Sequence, residues 1–71
     1  GNPNSISDVG VAGEVALAAV RGACMNVLIN LPGIKDKRFT DREKKQVDEL
    51  IAKAQKLEQN IFRQTIKIIE N

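Results

Sequence analysis

Between Val9 and Leu31 the chain runs for twenty-three residues with only two charges, Glu14 and Arg21. A helix that is apolar nearly all round has to be taken out of water on most of its circumference. The side chains here are also small: Gly10, Ala12, Gly13, Ala16, Ala18, Ala19, Gly22 and Ala23 leave little bulk on most faces. Each glycine in a helix interior is roughly 1 kcal/mol worse than alanine. Close packing against neighbouring helices is the expected compensation. The stretch is long enough to span a bilayer, but Glu14 or Arg21 near its centre would cost roughly 3 kcal/mol on insertion scales. The expectation is therefore an interior helix of a larger helical protein, with no membrane span.

At 71 residues the chain can hold one compact unit at most, and a core of that size is marginal unless something else shares the burial. Its aromatic residues are Phe39 and Phe62, so the interior has to be built from Leu, Ile, Val and Ala. A formal charge of +2 and the shortage of stacking aromatics argue against nucleic acid as a partner. Cys24 stands alone in an apolar segment, which fits a reducing compartment, and no basic-then-apolar leader opens the chain. A cytoplasmic location is expected. The sequence contains no histidine, which removes Ser-His-Asp and Cys-His nucleophilic sites and His-based zinc sites from this chain.

The spacing predicts an all-α helical hairpin, two long antiparallel helices forming a fragment of a larger bundle. Residues 1–5 read as a loop, 6–30 as the first helix, 31–39 as a second loop and 40–70 as the second helix. Ser5 and Asp8 stand at the S-x-x-D spacing of a capping-box relative, with Ser7 as an alternative cap. Asp8 then lies in the first turn, where the helix dipole favours an anion. Asp8 and Asn26 are eighteen residues apart, five whole turns, and share a face with Val15, Ala19 and Gly22. Asn30 lies close to that face. Pro32 and Gly33 end the helix. In the second helix, Thr40 with Glu43 three residues later forms a capping box. Apolar residues then recur at Val47, Leu50, Ile51, Ala54, Leu57 and Ile61, with Thr65, Ile66, Ile68 and Ile69 continuing the stripe, and Asp41 and Lys45 form a favourable pair on the exposed side. Two helices alone cannot cover both the apolar first helix and the broad stripe of the second.

The strings "NPNSISDVGVA" (residues 2–12) and "RGACMNVLINL" (residues 21–31), joined by an Ala/Gly-rich helix and followed by a turn and a long amphipathic helix, resemble the C-terminal part of the cyclodeaminase/cyclohydrolase family. That family includes the cyclodeaminase domain of formimidoyltransferase-cyclodeaminase and the bacterial methenyltetrahydrofolate cyclohydrolases. The resemblance covers nearly the whole chain but only about the last third of a family domain of roughly two hundred residues. The family's glycine-rich "PGGGS"-like motif, which helps to shape the folate pocket, is not in this sequence. The resemblance implies an enzyme that acts on the one-carbon bridge of tetrahydrofolate. It either cyclises the formimino form to the methenyl form with loss of ammonia or opens the methenyl ring with water. It also implies catalysis without metal or flavin, a tetrahydrofolate derivative as substrate, and a homodimeric parent.

The methenyl species is cationic, so a fixed carboxylate beside it would stabilise its charge, and some group must accept a proton from the attacking water or nitrogen. Asp8 is the candidate carboxylate; a structural cap is the competing reading. Asn4, Ser5 and Ser7 are candidates to orient substrate or water, against a well-bonded turn. Asn26 is a candidate for the same pocket, against a hydrogen bond between buried helices. Arg21 either pairs with Glu14 or reaches a substrate carboxylate. The stretch from Lys35 to Lys45 has six basic residues against three acidic ones, which could attract an anionic glutamate tail or simply be solvated. A rival reading from another class is a helical oligomerisation module with no catalytic role, whose polar start only caps a helix.

Overall fold

The computed structural model describes residues 3–71, with side chains from Ser5 onward. Helix α1 covers Pro3–Asn30; a single 3-10 turn covers Leu31–Gly33; helix α2 covers Lys37–Glu70. The two helices pack antiparallel along their length into a rod of 54 × 15 × 13 Å. Among the described residues there is no strand, and the helical hairpin expected from the periodicity is what forms.

Both helices start three residues or more before the sequence reading places them. Proline is well suited to a first helical position, because its missing N–H would be unbonded there and its φ is already helical. With α1 starting at Pro3, Ser5 and Ser7 lie inside the helix, and the capping roles assigned to them are corrected. In α2 the cap is Asp36, whose side chain accepts a hydrogen bond from the Phe39 backbone N–H at 3.1 Å. Thr40 is not the cap. Its hydroxyl donates instead to the Lys37 carbonyl at 3.1 Å within the helix, and its side chain is buried. Asp41 correspondingly turns back to Lys37 (3.6 Å) rather than forward to Lys45. Both partners are exposed, so the pair is worth a few tenths of a kcal/mol.

At the other end of the connection, Pro32 cannot donate to a carbonyl one turn back, and its ring clashes with that carbonyl if the α-helix continues. The chain tightens into the 3-10 turn, closed by Ile34 N–H donating to the Leu31 carbonyl at 3.0 Å. Leu31 is buried against the hairpin.

Along α1 and the turn that follows it, the residues wholly or partly covered are Ile6, Gly10, Gly13, Leu17, Val20, Gly22, Cys24 and Leu31. On α2 they are Thr40, Glu43, Val47, Ile51, Ala54, Glu58, Ile61 and Thr65, together with Phe39 and Ile66 on the flanks. Most of these recur at steps of three and four, the spacing of a seam between two helices. The glycines set the closeness of that seam. A Cβ on Gly10 would stand 2.9 Å from the Thr65 Cγ2, and one on Gly13 would stand 3.1 Å from the Ile61 Cγ2. Hydrogen in place of a side chain lets the start of α1 lie directly against the last third of α2.

Little is buried beyond the seam. The buried apolar side chains among the described residues are Cys24, Leu31 and Val47, and no large side chain is fully enclosed. On the side of α1 away from α2, Val15 is 61% exposed and Ile29 76%. On α2, Leu50 and Leu57, which the sequence stripe places inside, are 50% and 55% exposed at the seam's edge. Their places in the seam go to Ile51 and Glu58. Two cylinders share one line of contact, so each keeps most of its circumference free whatever its sequence.

By length and composition, Ser5–Gly33 is the one stretch among the described residues long and apolar enough to cross a membrane. A bilayer around it would also have to accept α2, which lies alongside and carries Asp48, Lys53, Lys56 and Arg63 at the same depth. Each of those charges would cost about 3 kcal/mol near the bilayer centre.

Two stability effects follow. Gly10→Ala should destabilise the hairpin by about 1–3 kcal/mol, the usual range for overpacking. Because the obstructing atom is the Thr65 Cγ2, adding Thr65→Ser should recover most of that loss; denaturant midpoints of the two single variants and the double variant provide the check. Asp36→Ala should cost about 1 kcal/mol through loss of the α2 cap, whereas Glu43→Ala should leave capping unchanged in the same measurement.

Candidate functional site

The early start of α1 changes what its polar opening can do. Residues that read as an irregular loop become successive positions on a helix, pointing in directions about 100° apart. Ser5 and Asp8 are three residues apart and share a face, whereas Ser7 and Asp8, being adjacent, do not. Asn4 is four residues before Asp8 and so falls on the same face of the backbone; its side chain lies outside the described residues. Asp8 is the sixth residue of α1, beyond the first turn in which the helix dipole acts most strongly. Ser5, Ser7 and Asp8 are all exposed.

The face shared by Asp8, Val15, Ala19, Gly22 and Asn26 is directed away from α2, opposite the seam residues Gly10, Leu17 and Cys24. Every one of these five but Gly22 is exposed in the hairpin. Since α1 is continuous, Asp8 and Asn26 are about 27 Å apart along its axis. One small ring cannot touch both. Asn30 is occupied locally, its side-chain amide donating to the Asn26 carbonyl at 2.7 Å. The basic stretch from Lys35 lies at the far end of the hairpin, with Asn30 already about 33 Å from Asp8 along α1. Any attraction it exerts on an anion acts well away from Asp8.

Arg21 does not pair with Glu14. Glu14 instead lies across the seam from Glu58. The two line an open groove of about 220 Å³ with Gln59, Phe62 and Arg63. Glu58 has its pKa raised above the usual glutamate value, first by the hydrogen bond with Glu14, then by loss of hydration, then by the neighbouring negative charge. Glu58 is not among the candidates that the sequence analysis named. The signal that could have found it is positional: Ala54, Glu58, Ile61 and Thr65 recur at the seam spacing, so Glu58 occupies a position where an apolar residue would be usual. Arg21 lines a second groove, with Cys24, Met25, Leu28, Ile51 and Gln55.

The hairpin therefore displays two separate chemistries. On the free face of α1 is a carboxylate with the Ser5 hydroxyl one turn away, followed along the helix by small apolar residues. On the flank of the seam is a carboxyl pair beside an aromatic ring and a guanidinium.

Comparison with known proteins bears on the first of these. Residues 1–64 match the family described as formiminotransferase-cyclodeaminase. A methenyltetrahydrofolate cyclohydrolase from Methylorubrum extorquens is 40% identical over 67 residues, covering 94% of this chain and 32% of that protein. The chain thus spans about a third of the length of that relative. No solved structure matches the chain significantly.

Proposed function

The chain belongs to the formiminotransferase-cyclodeaminase family, and from that premise we propose that it supplies one wall of a folate-binding cavity in an enzyme of one-carbon chemistry. The observation that carries this reading is the free face of α1. It is apolar, built from small residues, left uncovered by α2, and bears Asp8 close to its start, within the stretch that matches the family.

The proposed reaction is hydrolysis of the methenyl bridge of tetrahydrofolate, the activity named for the 40% identical relative. Cyclisation of the formimino form with loss of ammonia is the neighbouring chemistry, in keeping with the cyclodeaminase in the family's description. Both pass through the same cationic bridge. An ionised Asp8 facing that cation would stabilise it where a neutral side chain would not, and a carboxylate positioned in a cavity closed to water acts far more strongly than one in solvent. Ser5, and Asn4 on the same helical face, would orient the substrate or the attacking water. Ser7 points elsewhere and would act only through other elements. Asn26 lies too far along α1 to serve the ring that Asp8 serves and would instead contact the rest of the enzyme or an extended part of the substrate.

Completion of the cavity requires other helices, from the rest of the parent domain or from a second copy in a homodimer. Small residues on α1 allow such helices to approach closely. The exposed apolar edges of α2 at Leu50, Leu57 and Ile68 would be covered by the same assembly. Oligomerisation is then a condition for the site, rather than an alternative to catalysis.

In the full-length enzyme, Asp8→Asn keeps shape and hydrogen bonding while removing charge. It should lower kcat for methenyltetrahydrofolate hydrolysis, followed by the loss of its absorbance, by roughly a hundredfold to a thousandfold, as for removal of one preorganised electrostatic group. A folded variant that turns over and binds folate like the parent would remove Asp8 from the mechanism. Val15→Glu tests the enclosure separately: a buried unpaired charge should cost about 3 kcal/mol or more, whereas a solvent-facing position would tolerate it within about 0.5 kcal/mol.

A further inference from the structure

We propose that the outer face of α2 is a docking surface for an anionic lipid bilayer. The proposal is independent of the folate reading. From Arg38 onward, the positions that recur at steps of three and four hold Arg38, Arg42 and Lys45, then Glu49. Lys53, Lys56, Asn60, Arg63 and Lys67 complete the row. Each cation in it stands two residues from one of the seam residues Thr40, Val47, Ile51, Glu58 and Thr65. Two steps of about 100° carry a side chain to the far side of a helix. All of these cations are exposed. The result is a straight cationic ridge about 43 Å long that faces away from α1.

The net charge of the whole chain hides this arrangement. The ridge takes seven of the eleven basic residues and one of the nine acidic ones, so it carries six net positive charges and the remainder four net negative. Lys37 with Asp41 is the one ion pair among the described residues, so every ridge cation is left without a carboxylate partner. Towards the C-terminal end of the ridge, Lys56, Leu57, Gln59, Asn60 and Arg63 line an open groove of about 370 Å³. The Asn60 Oδ1 already accepts a hydrogen bond from the Gln64 Nε2 at 3.4 Å. That leaves the Asn60 side-chain N–H groups, the Lys56 ammonium and the Arg63 guanidinium as donors along the groove. Such a set suits the phosphate or carboxylate of a lipid head group.

The chemistry of the ridge selects the partner. No position in the row holds an aromatic or apolar side chain. Protein interfaces are anchored by side chains buried in a desolvated core that is depleted in lysine, and single-stranded nucleic acid stacks on aromatic rings. Neither finds an anchor here. Duplex phosphates follow curved paths that a straight row meets at few points, whereas a flat anionic surface meets the whole row at once. Clusters of Lys and Arg on one side of a helix are drawn to anionic lipid, each cation adding its share. Enclosing the ridge between helices would be costly for so many unpaired charges, so it stays outermost when other helices close over α1. Docking by this face leaves the free face of α1, with Asp8, turned away from the lipid.

The test is co-sedimentation of the full-length protein with phosphatidylcholine vesicles, with and without phosphatidylserine. The protein should bind the phosphatidylserine vesicles at about 0.1 M salt, leave them at about 1 M, where charges are screened within about 3 Å, and ignore phosphatidylcholine alone. Lys56→Gln combined with Arg63→Gln should weaken binding roughly twenty-fivefold, at about fivefold for each charge. Lys35→Gln combined with Lys44→Gln makes the same change in net charge away from the ridge and should weaken it less than about fivefold. All four residues are exposed, so both variants should fold, which helical circular dichroism checks. Equal weakening by the two pairs, binding that does not depend on phosphatidylserine, no binding to vesicles, or capture of duplex DNA in place of vesicles overturns the docking surface.

Discussion

A helix with one neighbour can hide only one line of its surface. The properties of this hairpin follow from that limit, because α1 has apolar residues on every side. The line facing α2 is filled by Gly10, Gly13, Leu17, Val20 and Cys24. The remaining circumference, including Val15 and Ile29, is left in water. At about 25 cal/mol for each Å² of apolar surface, such exposure works against a free hairpin and in favour of further helices closing over it. Glycine and alanine on the free side then carry a geometric meaning, since they permit helix axes to approach more closely than Leu or Ile would allow. The same choice that weakens α1 as an isolated helix suits it to an interior position.

The seam itself is uneven. At the connecting end it is conventional, with Leu31, Val47 and Cys24 forming the small buried cluster. Towards the start of α1 it is closer and more polar: glycines meet Thr65 and Ile61, and a carboxyl pair takes a position that would usually be apolar. A charged residue at a seam position lowers stability, and Glu58 keeps its half-exposed place at the lip of an open groove. The polar, closely packed end of the hairpin is also the end that bears Asp8.

The chain belongs to the formiminotransferase-cyclodeaminase family, and the hairpin limits how the folate role proposed for the free face of α1 could be met. Asp8, Ser5 and the backbone position of Asn4 form a compact patch within one turn of helix. Asn26 and the basic segment from Lys35 are tens of ångströms away. In the proposed function, a substrate ring at Asp8 would be enclosed by elements other than the two helices described here, and those elements would supply whatever else the reaction needs, including a proton acceptor.

Much of the architecture was legible because it depends on local chemistry. Pro32 ends α1 wherever it is placed, since it lacks an N–H. The periodic apolar residues from Val47 onward mark a long second helix, and the eighteen-residue spacing puts Asp8 and Asn26 on one face of any regular helix. The starts of the helices were less legible, because Pro3 and Asp36 each compete with a good neighbouring cap and only the packed backbone shows which prevails. Which flank of the α2 stripe would enter the seam was not legible at all. Leu57 and Glu58 are adjacent, hydrophobicity favours Leu57, and the rotation of α2 imposed by the Gly10–Thr65 and Gly13–Ile61 contacts places Glu58 inside. Sequence by itself determined the helices, their breaks and their periodicity, because these follow from bonds within a few residues. Tertiary packing alone decided which residues meet across the seam, because that depends on how closely two backbones approach and at what rotation.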